Sequence, residues 1–338
     1  MCRSVVVAAA LAFVAGALPA LANDTTAELA TGGLVFVTND DIEMRAEDLF
    51  ISTQQVRVRY RFFNKANKDV TVLVAFPLPE VRFSGPDQNI ALPTEDPVNI
   101  FAFTTSVNGN PATTKVEQRV TAVGIDRTQY LRDLGIPLAP QLAATGAALD
   151  RLALDKWDEM LRLGLAEVEE YDVGAGMKKH LAARWGVNTT FYWEQTFPAG
   201  KETIIEHAYK PSVGSSVQTD LGAPFALKEG WYGDYLRKYC IDKDFLATID
   251  RLRKANNSEF GPPYSERRID YILKTGANWS GSIKDFRLVV DKGNPDSLVT
   301  FCGDGVKKIS PTQFEMRKSD FTPDGNLAVL ILTKIPKP

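Results

Sequence analysis

QVRVRYRFFNKANKDVTVLVAFPLPEVRF, residues 55–83, decides the fold class. Val56, Val58, Tyr60 and Phe62 alternate with Arg57, Arg59, Arg61 and Phe63, the period of two that marks a strand with one buried face. The polar run Asn64-Lys65-Ala66-Asn67-Lys68-Asp69 is turn-forming, and residues 70–76 resume as a second, mostly apolar strand. Pro77 and Pro79 end it, because proline has no N–H to give to a ladder. The stretch predicts a β-hairpin in the core of an all-β unit. The three arginines on the other side of the first strand predict a solvated or cross-strand-paired face. None of these residues carries chemistry.

Upstream, a short segment with Arg3, an apolar run over residues 5–18 and the ending Ala20-Leu21-Ala22 form the three parts of a secretory signal peptide. The apolar run is too short to span a bilayer comfortably, and no stop-transfer segment follows it. Cleavage is expected after Ala22, with Asn23 as the mature N-terminus of a protein exported to the periplasm or, alternatively, secreted. Cys2 precedes the apolar run and does not read as a lipidated cysteine. No later segment is apolar enough to cross a membrane. Processing removes one positive charge, Arg3, and moves the formal net charge from −3 to −4. That mild acidity argues against a nucleic-acid partner or an anionic membrane surface, both of which need clustered Lys and Arg.

Between these landmarks the chain reads as strands. Residues 34–37 form a short one closed by Thr38-Asn39-Asp40-Asp41. Residues 42–52 form a longer one whose apolar phase slips near Glu47-Asp48, as at a bulge. After the proline turn, residues 100–107 lead into Val107-Asn108-Gly109-Asn110, and Asn-Gly between strands is a strong hairpin signal. Residues 113–123 return.

The order FPLPEV (residues 76–81), F-x-x-x-V-N-G (residues 103–109) and Glu117-Gln118-Arg119 resembles, locally, the vault and inter-alpha-trypsin (VIT) type of β-sandwich. That family often carries a following von Willebrand A domain with a D-x-S-x-S metal site. No D-x-S-x-S occurs here, so the resemblance does not extend to metal-dependent adhesion. Residues 23–125, together with Tyr192-Trp193-Glu194-Gln195-Thr196-Phe197-Pro198-Ala199-Gly200, resemble a family of uncharacterised exported proteins of Gram-negative bacteria, known only as a domain of unknown function. This second resemblance covers nearly the whole mature chain and implies no activity.

From Asp126 the period changes. Asp126 is placed to cap a short helix through Leu134, with Gly135 and Pro137 beyond it. Residues 147–163 put Leu149, Leu152, Trp157, Met160 and Leu161 on one face of an amphipathic helix, and residues 177–185 are expected to be a third helix. These apolar faces are expected to pack on the sandwich; a lid or a partner-docking surface is the sharper alternative. Strands resume over residues 189–197 and 202–209 across Pro198-Ala199-Gly200, and residues 214–222 read as a loop. Asp242 caps a helix with Phe245, Leu246, Ile249 and Leu252 on one face. Strands follow at about 268–275, 282–290, 297–302, 312–317 and 327–335. The expected class is mainly β, α+β overall. A signal peptide (1–22) precedes an antiparallel β-sandwich (23–211) with a helical insertion at about 126–186. A linker (212–230) then leads to a smaller α+β domain (231–338).

Chemistry is scarce. The two histidines are His180, placed on the expected third helix, and His207, alternating with Ile205 and Tyr209 on a strand. No H-x-x-x-H, H-E-x-x-H or C-x-x-C occurs, so no metal site is expected. Gly214-Ser215-Ser216-Val217 lacks the second glycine of a nucleophile elbow. Gly174-Ala175-Gly176 matches no phosphate-binding or dinucleotide fingerprint and reads as a helix start. Asp291-Lys292-Gly293-Asn294-Pro295-Asp296 lacks a calcium-loop pattern and reads as a turn. No catalytic residue, cofactor or metal is assigned. Trp231, Tyr232, Trp279 and Trp157 are the aromatic candidates for a ligand or an interface. The function expected is a non-catalytic binding or interaction module of the cell envelope, its partner an envelope protein or a glycan. The alternative is an envelope polysaccharide or peptide hydrolase using acidic residues, which would need two carboxylates about 5–10 Å apart across a cleft.

After signal cleavage two cysteines remain, Cys240 and Cys302, in a chain bound for an oxidising compartment. They are expected to pair as a disulfide, with two buried free thiols or a redox-active pair as the alternatives.

Overall fold

The computed structural model describes residues 23–30, 33–82, 89–172, 174 and 176–336. Its class is the expected one, mainly β with a helical minority, but the chain is wired differently from the hairpin reading. Val56–Asn64 and Val70–Pro77 are not neighbours. The first lies between Ile42–Ser52 and Glu202–Tyr209 in an eight-stranded sheet, and the second between Gly186–Phe197 and Thr25–Ala30 in a seven-stranded one. The polar run 65–69 is therefore an arch that carries the chain from one sheet to the other.

Asn64 explains the arch. Its side chain is buried, donating from Nδ2 to the carbonyls of Lys68 (2.9 Å) and Phe197 (2.8 Å) and accepting at Oδ1 from the Ala66 N–H (2.8 Å). A second arch over Pro198-Ala199-Gly200 crosses beside it. Gly200 N–H donates to the Asn64 carbonyl at 3.0 Å, and Ala199 N–H to Asp69 Oδ1 at 2.8 Å. Stacked sheets stand about 10 Å apart, a gap that a polar run anchored at a buried Asn can bridge. The true hairpin lies upstream, where Ile42–Ser52 pairs antiparallel with Val56–Asn64 across the turn at Thr53 and Gln54. Its register shifts between Met44 and Ala46, close to the expected bulge.

The two sheets face each other across one core. Phe103 stacks on Phe191 with centroids 4.2 Å apart, and Phe62 meets Phe197 edge-on at 5.7 Å. On the outer face the arginine row is paired across strands as expected, Arg59 to Glu206 (3.3 Å) and Arg61 to Glu202 (2.7 Å). Exposed pairs of this kind contribute about 1 kcal/mol or less. The Asn108-Gly109 hairpin also forms, both residues at positive φ and Val107 paired with Asn110.

The sheets run across the expected linker. Ile283–Asp291 lies parallel to Ile42–Ser52 and extends the eight-stranded sheet, with Gln313–Phe321 beyond it. Only part of residues 231–338 forms its own layer. A five-stranded sheet, which also takes in Asn89–Ala91 and Val213–Ser216, turns Ile269, Tyr271, Val329 and Ile331 to the main core. Its other face turns Tyr264, Leu330 and Leu332 to the helices Tyr232–Lys238 and Lys243–Ala255. Asp242 caps the longer helix, accepting from Phe245 N–H at 2.7 Å. Cys240 and Cys302 are disulfide-bonded and tie the segment between these helices to the end of Leu298–Phe301.

The insertion is only partly helical. Thr128–Asp133, Ala143–Leu149 and Leu154–Arg162 are helices; the first is capped not by Asp126 but by Arg127, with no side-chain cap bond, and Asp126 Oδ1 instead accepts from Thr128 N–H in a turn that leads into the helix. Residues 177–185, expected as a helix, instead contribute the strand Met177–Ala183, paired with Ala166–Asp172. The reason lies at the glycines. Asp172 Oδ1 accepts from Gly174 N–H (2.8 Å) and Gly176 N–H (3.1 Å), and both glycines sit at positive φ. That is hairpin-turn chemistry rather than a helix start. The stripe over 147–163 is likewise broken between two helices. Leu149 and Met160 are buried, Trp157 is half-buried against the core, and Leu161 is exposed.

Candidate ligand groove

The hairpin Ala166–Asp172/Met177–Ala183, the helix Ala143–Leu149 with the loop before it, and the strand Asn89–Ala91 enclose an open groove of about 760 Å³. Buried Trp185 anchors the hairpin to the loop by donating from Nε1 to the Leu138 carbonyl (2.7 Å). Thr145 ties the helix back to the same loop, donating to the Ala139 carbonyl at 2.7 Å. The walls are therefore held by hydrogen bonds buried in their own backing.

His180 lies on the groove wall. Its Nδ1 lies 2.6 Å from Asp150 Oδ2, and Asp150 Oδ1 accepts from Leu181 N–H at 3.3 Å. A carboxylate can only accept, so Nδ1 carries the proton of this pair. His180 Nε2 is buried and has no hydrogen-bond partner among the described residues. The ring stacks on Tyr171 at 4.2 Å and 10°, and Tyr171 stays half exposed. Gln141, on the same lining, has both its Oε1 and its Nε2 buried and unpaired. Three buried polar atoms without partners in one groove stand out, because such groups are nearly always satisfied.

Charge in the groove is mixed but more negative than positive. Asp150, Glu95 and Glu169 line it, and Arg184 is engaged by Glu167 and by Glu169 Oε1 (3.0 Å). Burial lowers the Arg184 pKa from its ordinary value. Among the described residues, no group of three or more His, Cys, Asp or Glu is arranged to hold a metal ion.

The aromatic candidates do not converge here. Trp231 is exposed at the start of Tyr232–Lys238, edge-on to Tyr232 (5.7 Å) and Tyr235 (5.8 Å), and Tyr232 is buried in the layer beneath. Trp279 is buried in the main core, donating to the Asp24 carbonyl. Trp157 packs on the core from the insertion and leaves Nε1 buried and unpaired. Sequence reasoning passed over Gln141, Asp150 and Tyr171. The signal it held was Asp172 before two glycines, which marks a hairpin and turns alternate residues, Tyr171 and His180 among them, toward one side.

The arrangement defines a mainly-β protein of two facing sheets, with a polar groove walled by an inserted hairpin and helices. The chain belongs to the DUF4424 family, a domain of unknown function, whose sequence profile matches residues 22–330. The local VIT likeness has no counterpart among the comparisons. No curated protein matches the chain. Among solved structures it is similar to a Legionella pneumophila protein described as a "putative nutrient binding protein", at 17% identity and a TM-score of 0.45. The alignment covers 92% of this chain and 70% of that one.

Proposed function

We propose that the protein is a non-catalytic binding module of the cell envelope whose groove at His180 takes a neutral, hydroxyl-rich ligand, a small sugar or a glycan end. The observation that carries this reading is the set of unpaired buried atoms, His180 Nε2 with Gln141 Oε1 and Nε2, on one lining. A hydroxyl both donates and accepts, so a polyol can satisfy all three at once. The carboxylates of Glu95, Asp150 and Glu169 disfavour an anion, and Tyr171 offers an aromatic surface of the kind sugars pack on.

Isothermal titration of the protein with neutral mono- and disaccharides tests the proposal. Saturable binding is expected, weakened at least tenfold by Gln141→Leu, which leaves the His180–Asp150 pair in place. Absence of heat with every neutral sugar at millimolar concentration would overturn it, as would affinity indifferent to Gln141→Leu. The His180–Asp150 pair also has the form of an oriented general base, so the same sugars and their aryl glycosides belong in a turnover assay. Hydrolysis lost in His180→Ala would favour the hydrolase alternative.

A further inference from the structure

A second group of buried polar residues lies away from the groove, in the main core, and includes the first two described residues. Asn23 and Asp24 are both fully buried. The Asn23 side chain accepts from the Tyr60 hydroxyl and donates to Glu47 Oε2 at 3.0 Å, and the Asn23 backbone carbonyl accepts from Thr275 Oγ1 at 2.8 Å. Asp24 Oδ1 meets His207 Nε2 at 3.0 Å, and His207 Nδ1 in turn meets Thr105 Oγ1. Tyr271 completes the group, 3.2 Å from the Tyr60 hydroxyl. The fit is close: a Cβ on Gly276 would stand 2.6 Å from Asn23 Nδ2.

The charges in this pocket do not balance. It holds two carboxylates, Asp24 and Glu47, with His207 on one of them. Among the described residues no Lys or Arg pairs with either. Asp24 Oδ2 and Glu47 Oε1 are buried with no hydrogen-bond partner of normal geometry. An uncompensated buried carboxylate is costly, and the response is a rise in pKa. Burial pushes Glu47 up to about 8, with the neighbouring Asp24 charge adding to the rise and the Asn23 amide and Tyr271 hydroxyl opposing it; burial raises Asp24 too, against the pull of His207. Beyond His207 on Asp24, the described residues offer Glu47 no cation.

The sequence offers one at the right residue. Ala20-Leu21-Ala22 ends in a small-x-small cleavage signature, so the residue created as a new N-terminus is Asn23. Covalent geometry keeps a backbone nitrogen within about 5 Å of its own side-chain amide, which puts the Asn23 nitrogen within about 8 Å of Glu47. We propose that hydrolysis of the Ala22–Asn23 bond frees an α-ammonium that the core takes in as the counter-charge of Glu47 and Asp24, so that export processing completes the fold. The step consumes one water, leaves a carboxylate on Ala22 and an amine on Asn23, and that amine takes up a proton. A chain extended at Asn23 has an uncharged amide there and a pocket short of one positive charge.

A double comparison isolates the charge from mere crowding. Two chains are prepared by tag removal, one beginning at Asn23 and one with a single Ala ahead of it, each with Glu47 and with Glu47→Gln. The extension is expected to lower the melting temperature by several degrees with Glu47 and by less than half as much with Glu47→Gln. Equal shifts in both backgrounds, or no shift, would overturn the pairing. If Glu47→Gln does not fold, amine acylation at pH 7 decides with the unaltered chain. The Asn23 amine should react at least a hundredfold more slowly folded than in urea, and similar rates would refute its burial. Mass spectrometry of the exported protein must also find Asn23 first, and any other N-terminus overturns the proposal.

Discussion

Replacing Asn64 by Ala should destabilise the protein by about 3 kcal/mol. The figure follows from the arch. Three buried hydrogen bonds are lost, to the carbonyls of Lys68 and Phe197 and from the Ala66 N–H. Each is worth about 1 kcal/mol net, and the groups left unpaired keep the total from falling below the sum. Asn64→Asp should do no better than Ala, because it keeps only the acceptor and buries a charge. Asn67→Ala, in the same arch but exposed, serves as the control and should stay within about 0.5 kcal/mol. Urea unfolding followed by tryptophan fluorescence, with the disulfide intact, measures all three. An Asn64→Ala cost below about 1 kcal/mol, or one equal to that of Asn67→Ala, would refute the claim that this side chain holds the crossing between sheets.

Opening the Cys240–Cys302 bond releases a loop of 62 residues, worth about 4 kcal/mol in the chain-entropy account. Thiol titration in denaturant should find no free thiol before reduction in protein made in an oxidising compartment and two after it. Trp157→Ala removes a half-buried ring packed on the core and should cost about 2 kcal/mol, below the 3–5 kcal/mol range of a fully buried aromatic; unchanged stability with lost partner binding would make that surface an interface. Purified protein should not turn over ester, peptide, phosphate or glycoside substrates, and reproducible turnover abolished by changing one acidic residue would sink the binding-module reading.

What the sequence made legible was local. The alternation from Val56 to Phe62 names a strand and its buried face, and Asp242 before Phe245 names a helix start. Two remaining cysteines leave one pairing to form. What it concealed was partnership between distant segments. Nothing in residues 56–76 says that the two strands belong to different sheets, because alternation is the same whichever neighbour a strand takes. The decisive residue, Asn64, reads as an ordinary turn polar until Phe197 is brought beside it. Residues 177–183 have fair helix propensity, and the pairing with Ala166–Asp172 overrides it, as tertiary context does. The groove was hidden for the same reason: its walls come from residues near 90, 141–150 and 169–184, and only the fold puts Gln141 and His180 on one lining. The boundary expected at residues 212–230 does not divide the sheets, because Ile283–Asp291 finds its partner in Ile42–Ser52, some 240 residues earlier.

The groove itself can be watched through its histidine. The chain has two, His180 on the groove wall and His207 fully buried in the core, so imidazole ¹⁵N spectra carry one reporter and one internal reference. Titration with a neutral N-acetylated disaccharide should move the Nε2 resonance of His180 saturably and leave that of His207 still. Resonances of His180 that stay fixed through millimolar ligand, or a His207 that moves with it, would contradict the account.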